Sequence, residues 1–171
     1  LPTQTLAQTI IHKAADLGIM LATAESCSGG MIAAALTDIA GSSVAVDRGF
    51  VTYSNAAKTE TLGVPASLIA DHGAVSEAVV RAMAEGAVSR ISGKQGIAIS
   101  VSGVAGPGGG TPEKPVGLVW FGLAHRHQDS INTNAFKMMF SGDRAAIRQQ
   151  SVIFALQQMS LALDDRSNAI V

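Results

Sequence analysis

Apolar runs of two kinds take turns along this chain, and a glycine or a serine marks most of the changes between them. Residues 5–17 place Leu6, Ile10, Ala14 and Leu17 at helical spacing, and Gly18 stops that run. Residues 19–23 read as a strand and residues 31–39 as a helix that Gly41 ends. A second strand is expected over 44–54, with Arg48 breaking its alternation, then a short helix over 56–62. Pro65 suits the first position of another helical turn. Ser76 caps a helix running to residue 92, with Val79, Val80, Met83 and Ala87 as its buried stripe. Residues 96–101 are nearly all apolar, the pattern of a strand covered on both faces. Two further strands follow, over 116–124 and 133–140, joined by the polar stretch 125–130. A long helix over 143–163 closes the chain. Strands that alternate with helices and end in an adjacent pair predict an α/β fold. Its expected form is a three-layer α/β/α sandwich with a mixed, mostly parallel sheet whose antiparallel element lies near the C-terminal part. Neither linker nor repeat interrupts the pattern, so residues 1–171 form one expected domain, with 1–4 and 165–171 fraying.

Three connections carry side chains suited to chemistry. The first is Ala24-Glu25-Ser26-Cys27-Ser28-Gly29-Gly30, between the first strand and its helix. A strand's C-terminal end exposes hydroxyls and thiols, and the following helix offers free N–H groups to an anion. The same serines would also serve a plain helix cap. The second is Ser102-Gly103-Val104-Ala105-Gly106-Pro107-Gly108-Gly109-Gly110-Thr111. Its glycines let backbone N–H groups approach a ligand closely. It lacks the Gly-Lys-Ser/Thr ending of a P-loop, because Lys114 lies in Glu113-Lys114-Pro115. A strand follows it rather than a helix, which excludes a dinucleotide fingerprint. Long glycine loops at strand ends tend to be functional, the alternative being a flexible surface loop. Lys114 beside this loop, and Arg144 at the start of the last helix, offer positive charge to a phosphate or carboxylate. The third is Phe50-Val51-Thr52-Tyr53-Ser54-Asn55-Ala56-Ala57-Lys58. A lysine near a serine acts as a general base when burial or a nearby cation lowers its pKa; otherwise it is a solvated charge.

Other chemistries find little footing. The four histidines and the acidic residues show no metal-ligand spacing, so no metal and no cofactor are expected. Trp120 lies within a strand and reads as core. A formal net charge of −1 gives no electrostatic reason to expect nucleic acid. No apolar run is long enough to span a bilayer, so no membrane partner is expected. One cysteine cannot make an internal disulfide, and no leader pattern opens the sequence; both favour a cytoplasmic location. An apolar share of 47% favours a homo-oligomer, a dimer first.

Taken in order, these segments form a larger pattern. The Ala24 to Gly30 turn is followed by Ile39-Ala40-Gly41-Ser42-Ser43 and by Arg48-Gly49-Phe50-Val51-Thr52-Tyr53-Ser54-Asn55. Then come His72-Gly73-Ala74-Val75-Ser76, Ser102-Gly103-Val104-Ala105-Gly106-Pro107 with Gly109-Gly110, and Lys114-Pro115-Val116-Gly117. From about residue 17 to residue 163 the chain closely resembles the CinA C-terminal domain family. The resemblance implies the stand-alone form of that domain, or a piece of a longer chain. It also implies a metal-free serine amidohydrolase that converts nicotinamide mononucleotide and water to nicotinic acid mononucleotide and ammonia. The family's Glu-Ser-Cys-Thr/Ser-Gly-Gly turn places the nucleophile at Ser26, with Ser28 as the alternative. Its Tyr-Ser-Asn-x-x-Lys turn places a lysine helper at Lys58, with Tyr53 nearby to orient or relay. On this reading the amides of Ser28, Gly29 and Gly30 hold the oxyanion, at about 3–4 kcal/mol for one such donor. Asn55 and the second loop, through Ser102, Gly103, Gly106, Gly109 and Thr111 with Lys114 or Arg144, bind the rest of the substrate, its 5'-phosphate included. Which loop takes which end stays open. Two rivals remain: a cysteine amidase with Cys27 as nucleophile and His72 as base, and a non-catalytic nucleotide-binding or regulatory module linked to competence or DNA damage.

Overall fold

Five strands form one sheet in the computed structural model, which describes residues 3–168. In chain order the elements are α1 (Thr3–Leu17), β1 (Met20–Glu25), α2 (Met31–Thr37), β2 (Val46–Val51), α3 (Asn55–Leu62), α4 (Ala66–His72), α5 (Glu77–Ser89), β3 (Gln95–Gly103), β4 (Leu118–His127), β5 (Ser130–Met139) and α6 (Arg144–Asn168). The strand order is β2-β1-β3-β4-β5. β1 pairs in parallel with β2 on one side and with β3 on the other. β4 is antiparallel to both β3 and β5. Four strands therefore run one way and only β4 runs against them, the mixed α/β sheet expected from the sequence.

Strand alternation sorts the two cores. Leu21, Ile97, Ile99, Val101, Val119 and Phe121 face α1, α2 and α6, where Ile10, Ile32, Leu36, Ile147 and Leu156 meet them. The opposite face is built from smaller residues. Ala22, Ala24, Ala98 and Ala124 lie under Val79, Met83 and Ala87 of α5. Small side chains let α5 come close. Gly122 has no room for a Cβ, which would sit 2.3 Å from the Val80 carbonyl oxygen. Beside it the Ser100 hydroxyl donates to that same oxygen at 2.6 Å. Ser54 caps α3 and Ser76 caps α5, each accepting a backbone N–H three residues on.

Two expectations change. The polar stretch 125–130 is mostly strand, because β4 and β5 pair as far as His127 and Ser130 around a turn at Gln128 and Asp129. Its polar residues sit at the rim of a sheet, where strand pairing needs no apolar side chain. Residues 3–4 and 165–168 are helical rather than frayed. Lys13 of α1 pairs with Asp164, and Arg166 contacts His125, tying down the last turns of α6. The remainder of the expected frayed ends, residues 1–2 and 169–171, lies outside the described residues. No helix among the described residues is long and apolar enough to cross a membrane.

After β1 the chain adds β2 on one side, then crosses to add β3 on the other. Such a reversal opens a crevice beyond the carboxyl ends of the strands. The Ser26 turn leaves β1 there, and the glycine loop leaves β3 beside it. The Ser26 amide donates to the Val101 carbonyl at 3.0 Å, joining the two strand ends.

Candidate active site

Among the described residues Lys58 is the largest fully buried side chain, at 1% exposure. It projects from α3, whose N-terminus directly follows β2. Because β2 lies against β1, the lysine reaches Ser26: Nζ is 3.1 Å from the serine Oγ. Nζ also donates to the carbonyl oxygens of Thr52 at 2.8 Å and Tyr53 at 3.5 Å. A neutral amine has two N–H groups and one lone pair. An ammonium has three N–H groups, and two carbonyls with one hydroxyl match either inventory. Burial strips water from the ammonium form and holds the Lys58 pKa below the ordinary lysine value. Ser26 itself is half-buried, so one side of its hydroxyl stays open to a substrate.

Ser28 is placed differently. It is fully buried, and its hydroxyl donates to Glu25 Oε2 at 2.7 Å. The geometry therefore selects Ser26 over Ser28 as the hydroxyl beside Lys58. Glu25 also accepts the amides of Gly30 and Ile32, each at 3.0 Å, and of Ala33 at 2.8 Å. Of the amides expected to face an oxyanion, Gly30's is thus taken by Glu25, and Gly29's goes to the Ser26 carbonyl at 3.1 Å. Among the described residues, the N–H groups of Cys27 and Ser28 find no backbone acceptor.

Cys27 points into the apolar core against α6 and is 6% exposed. Burial, with a smaller push from the Glu25 charge, raises its thiol pKa to about 11, so a thiolate is disfavoured. His72 is exposed at the end of α4, and its carbonyl is held by Lys114 Nζ at 2.6 Å. No hydrogen bond joins His72 to Cys27.

A cleft of about 480 Å³ opens between the glycine loop and the start of α6. Ala105, Pro107 and Val116 form one wall, and Arg144 and Arg148 supply positive charge. Arg144 spans two loops: it donates to the Gly106 carbonyl at 2.9 Å and to the Tyr53 hydroxyl at 3.0 Å. The Tyr53 phenol thus meets Arg144, while only its carbonyl meets Lys58. Arg148 joins the cleft to the Ser26 turn, donating to the carbonyls of Cys27 at 3.0 Å and Ser28 at 3.1 Å. Gly106 is buried, and a Cβ there would sit 2.6 Å from Val116 Cγ1, so glycine lets the loop lie against the segment that leads into β4. Gly109 is exposed, Gly103 is half-buried at the end of β3, and Ser102 is buried on the α5 side of the sheet. Thr111 closes a turn with Lys114 through an N–H to carbonyl bond of 2.9 Å and a 3.0 Å bond to its own hydroxyl. With its ammonium on His72, Lys114 is directed toward the α4–α5 connection rather than into the cleft. Asn55 is exposed on a separate groove between α3 and α4, away from the cleft.

Glu25 and Arg148 are the two participants that residue patterns did not bring forward. Glu25 stands beside Ser26 but works through backbone amides up to eight positions on. Arg148 sits one helical turn after Arg144, and that spacing was the one signal available.

A family model for the CinA C-terminal domain matches residues 3–163. The chain is 56% identical over 140 residues to the nicotinamide-nucleotide amidohydrolase PncC of Enterobacter agglomerans, covering 82% of each chain. It is 49% identical to a putative competence-damage inducible protein of Symbiobacterium thermophilum, covering 90% of this chain but 37% of that longer one. The crystal structure of the competence/damage inducible protein CihA from Agrobacterium tumefaciens superimposes with a TM-score of 0.86 at 45% identity, covering 95% of both chains. The chain belongs to the CinA C-terminal domain family.

Proposed function

We propose that this member of the CinA C-terminal domain family hydrolyses the carboxamide of nicotinamide mononucleotide, releasing ammonia, through Ser26 and Lys58. The observation that carries the reading is a buried lysine amine 3.1 Å from a half-buried serine hydroxyl at a strand end. The name borne by the Enterobacter agglomerans relative supports the substrate.

Amide hydrolysis needs a nucleophile, a base, an acid for the departing nitrogen and donors for the oxyanion. Ser26 Oγ attacks the carboxamide carbon while its proton passes to the neutral Lys58 amine. The oxyanion that forms is held by the Cys27 and Ser28 amides, which have no backbone acceptor among the described residues. Collapse of the tetrahedral species breaks the C–N bond, and Lys58 returns its proton to the nitrogen, which leaves as ammonia. The resulting ester of Ser26 is attacked by water, whose proton goes to Lys58. The C–Oγ bond then breaks, Lys58 returns that proton to the serine oxygen, and the carboxylic acid product departs and gives its remaining proton to solvent. Arg144 and Arg148, with the glycine loop, bind the 5'-phosphate in the adjoining cleft. Tyr53 orients Arg144 rather than relaying a proton.

Purified protein is incubated with nicotinamide mononucleotide in the presence of a chelator, and released ammonia is measured. The reading expects turnover in the wild type and in Cys27→Ala, and its loss in Ser26→Ala and Lys58→Ala. Loss in Cys27→Ala with an active Ser26→Ala protein would support the thiol amidase. Binding without turnover in any sample would support a recognition module.

A further inference from the structure

We propose that Glu25 is a positioning residue for Ser26, its carboxylate committed wholly inside the turn that presents the nucleophile. The inference rests on the reading of Ser26 and Lys58 given above. A carboxylate offers about four lone-pair sites. Here four donors meet it: the Ser28 hydroxyl and the amides of Gly30 and Ile32 converge on Oε2, and the Ala33 amide takes Oε1. Glu25 is fully buried, so no solvent competes for these bonds.

The turn needs such a pin. Gly29 and Gly30 have φ of +62° and +96°, a conformation that side chains other than glycine rarely adopt. Glycines bring freedom that must be removed elsewhere. α2 is seven residues long, too short to hold its own first turn rigid. Its N-cap is Gly30, which has no side chain to meet the orphan amides. Glu25 supplies the missing acceptor from the strand, binding the end of β1 to the start of α2 across Ser26. Arg148 holds the same turn from the α6 side through two successive carbonyls. Ser26 lies between these anchors, with its hydroxyl 3.1 Å from Lys58 Nζ.

A cap alone would contribute stability. A positioning residue also sets the rate, because a misplacement of about 1 Å in a reacting group costs about 10²-fold. Glu25→Gln keeps the volume and one acceptor oxygen for the donors on Oε2, while its NH₂ opposes the Ala33 amide, which needs an acceptor. Ser28→Ala removes one donor of the four and leaves the carboxylate on its three amides. Deamidation kinetics and the rate of Ser26 labelling by a fluorophosphonate probe are measured for the wild type and both variants. For Glu25→Gln, the expected result is a fall in kcat of about 100-fold with KM within about threefold, and a matching fall in labelling rate. Ser28→Ala shows the same split at a few-fold. If Glu25→Gln does not fold, Ser28→Ala decides. Lowered Tm with kcat and labelling rate unchanged overturns the proposal and leaves Glu25 a helix cap. A wild type inert toward nicotinamide mononucleotide yet labelled at Ser26 overturns the substrate reading alone, and the labelling rates then decide for Glu25. A wild type that the probe does not label overturns both.

Discussion

Two glycine-bearing connections leave the same end of the sheet, and they are built on opposite plans. The Ser26 turn is bound from within: Glu25 takes three amides and a hydroxyl, and Arg148 takes two carbonyls. The loop after β3 is largely exposed from Pro107 to Thr111, and Gly108 has open space around it. One connection is held by many bonds, and the other lies open to solvent from residue 107 to residue 111. Bond-making requires a fixed nucleophile, whereas recognition of a phosphate requires donors that a ligand can reach. The two plans fit the proposal that the first connection carries the chemistry and the second carries recognition.

Substitutions on the chemical side should have the largest effect and act on kcat. Ser26→Ala and Lys58→Ala are each expected to lower kcat for deamidation by about 10³-fold or more, read by ammonia release. A residual rate within tenfold of wild type in either variant would break the division between the loops. Arg144 belongs to the recognition side. Arg144→Ala is expected to raise KM by about 10- to 100-fold with kcat little changed, the worth of one or two bonds to a charged group. An equal loss of kcat would move Arg144 to the chemical side. Cys27→Ala should leave kcat within about threefold and cost about 1 kcal/mol of stability, measured by thermal melting, because the thiol only fills core. Gly108→Ala should change stability by less than about 0.5 kcal/mol, since a Cβ there meets nothing within 4 Å.

Much of this was legible in the residues. Glycine and serine punctuation located the strands and helices, and it put Ser26 and Lys58 at strand-to-helix turns. Their contact across 32 positions depends on β2 lying beside β1, which spacing along the chain does not encode. The choice of Ser26 over Ser28 needed the fold as well, because only the packed turn shows Ser28 buried on Glu25. Lys114 looked like a phosphate ligand from its place beside the loop. Its ammonium instead bonds a carbonyl 42 residues away, at the end of α4. Arg148 and Glu25 act on backbone groups, which carry no residue identity and leave no motif. The β4–β5 turn was hidden for a different reason: strand pairing at a sheet rim tolerates polar side chains, so composition there resembles a loop.

The central claim is that burial shifts Lys58 toward the neutral amine that can take the Ser26 proton. Burial lowers its pKa, so the base form is populated above that value, and kcat/KM should fall as pH drops through it. The direct measurement is an NMR titration of lysine labelled with ¹³C at Cε, with the Lys58 resonance assigned by its absence in Lys58→Ala. The account predicts an inflection clearly below the ordinary lysine value of 10.5. An inflection at or above that value would mean that Lys58 is a cation when Ser26 must give up its proton, and would contradict the account.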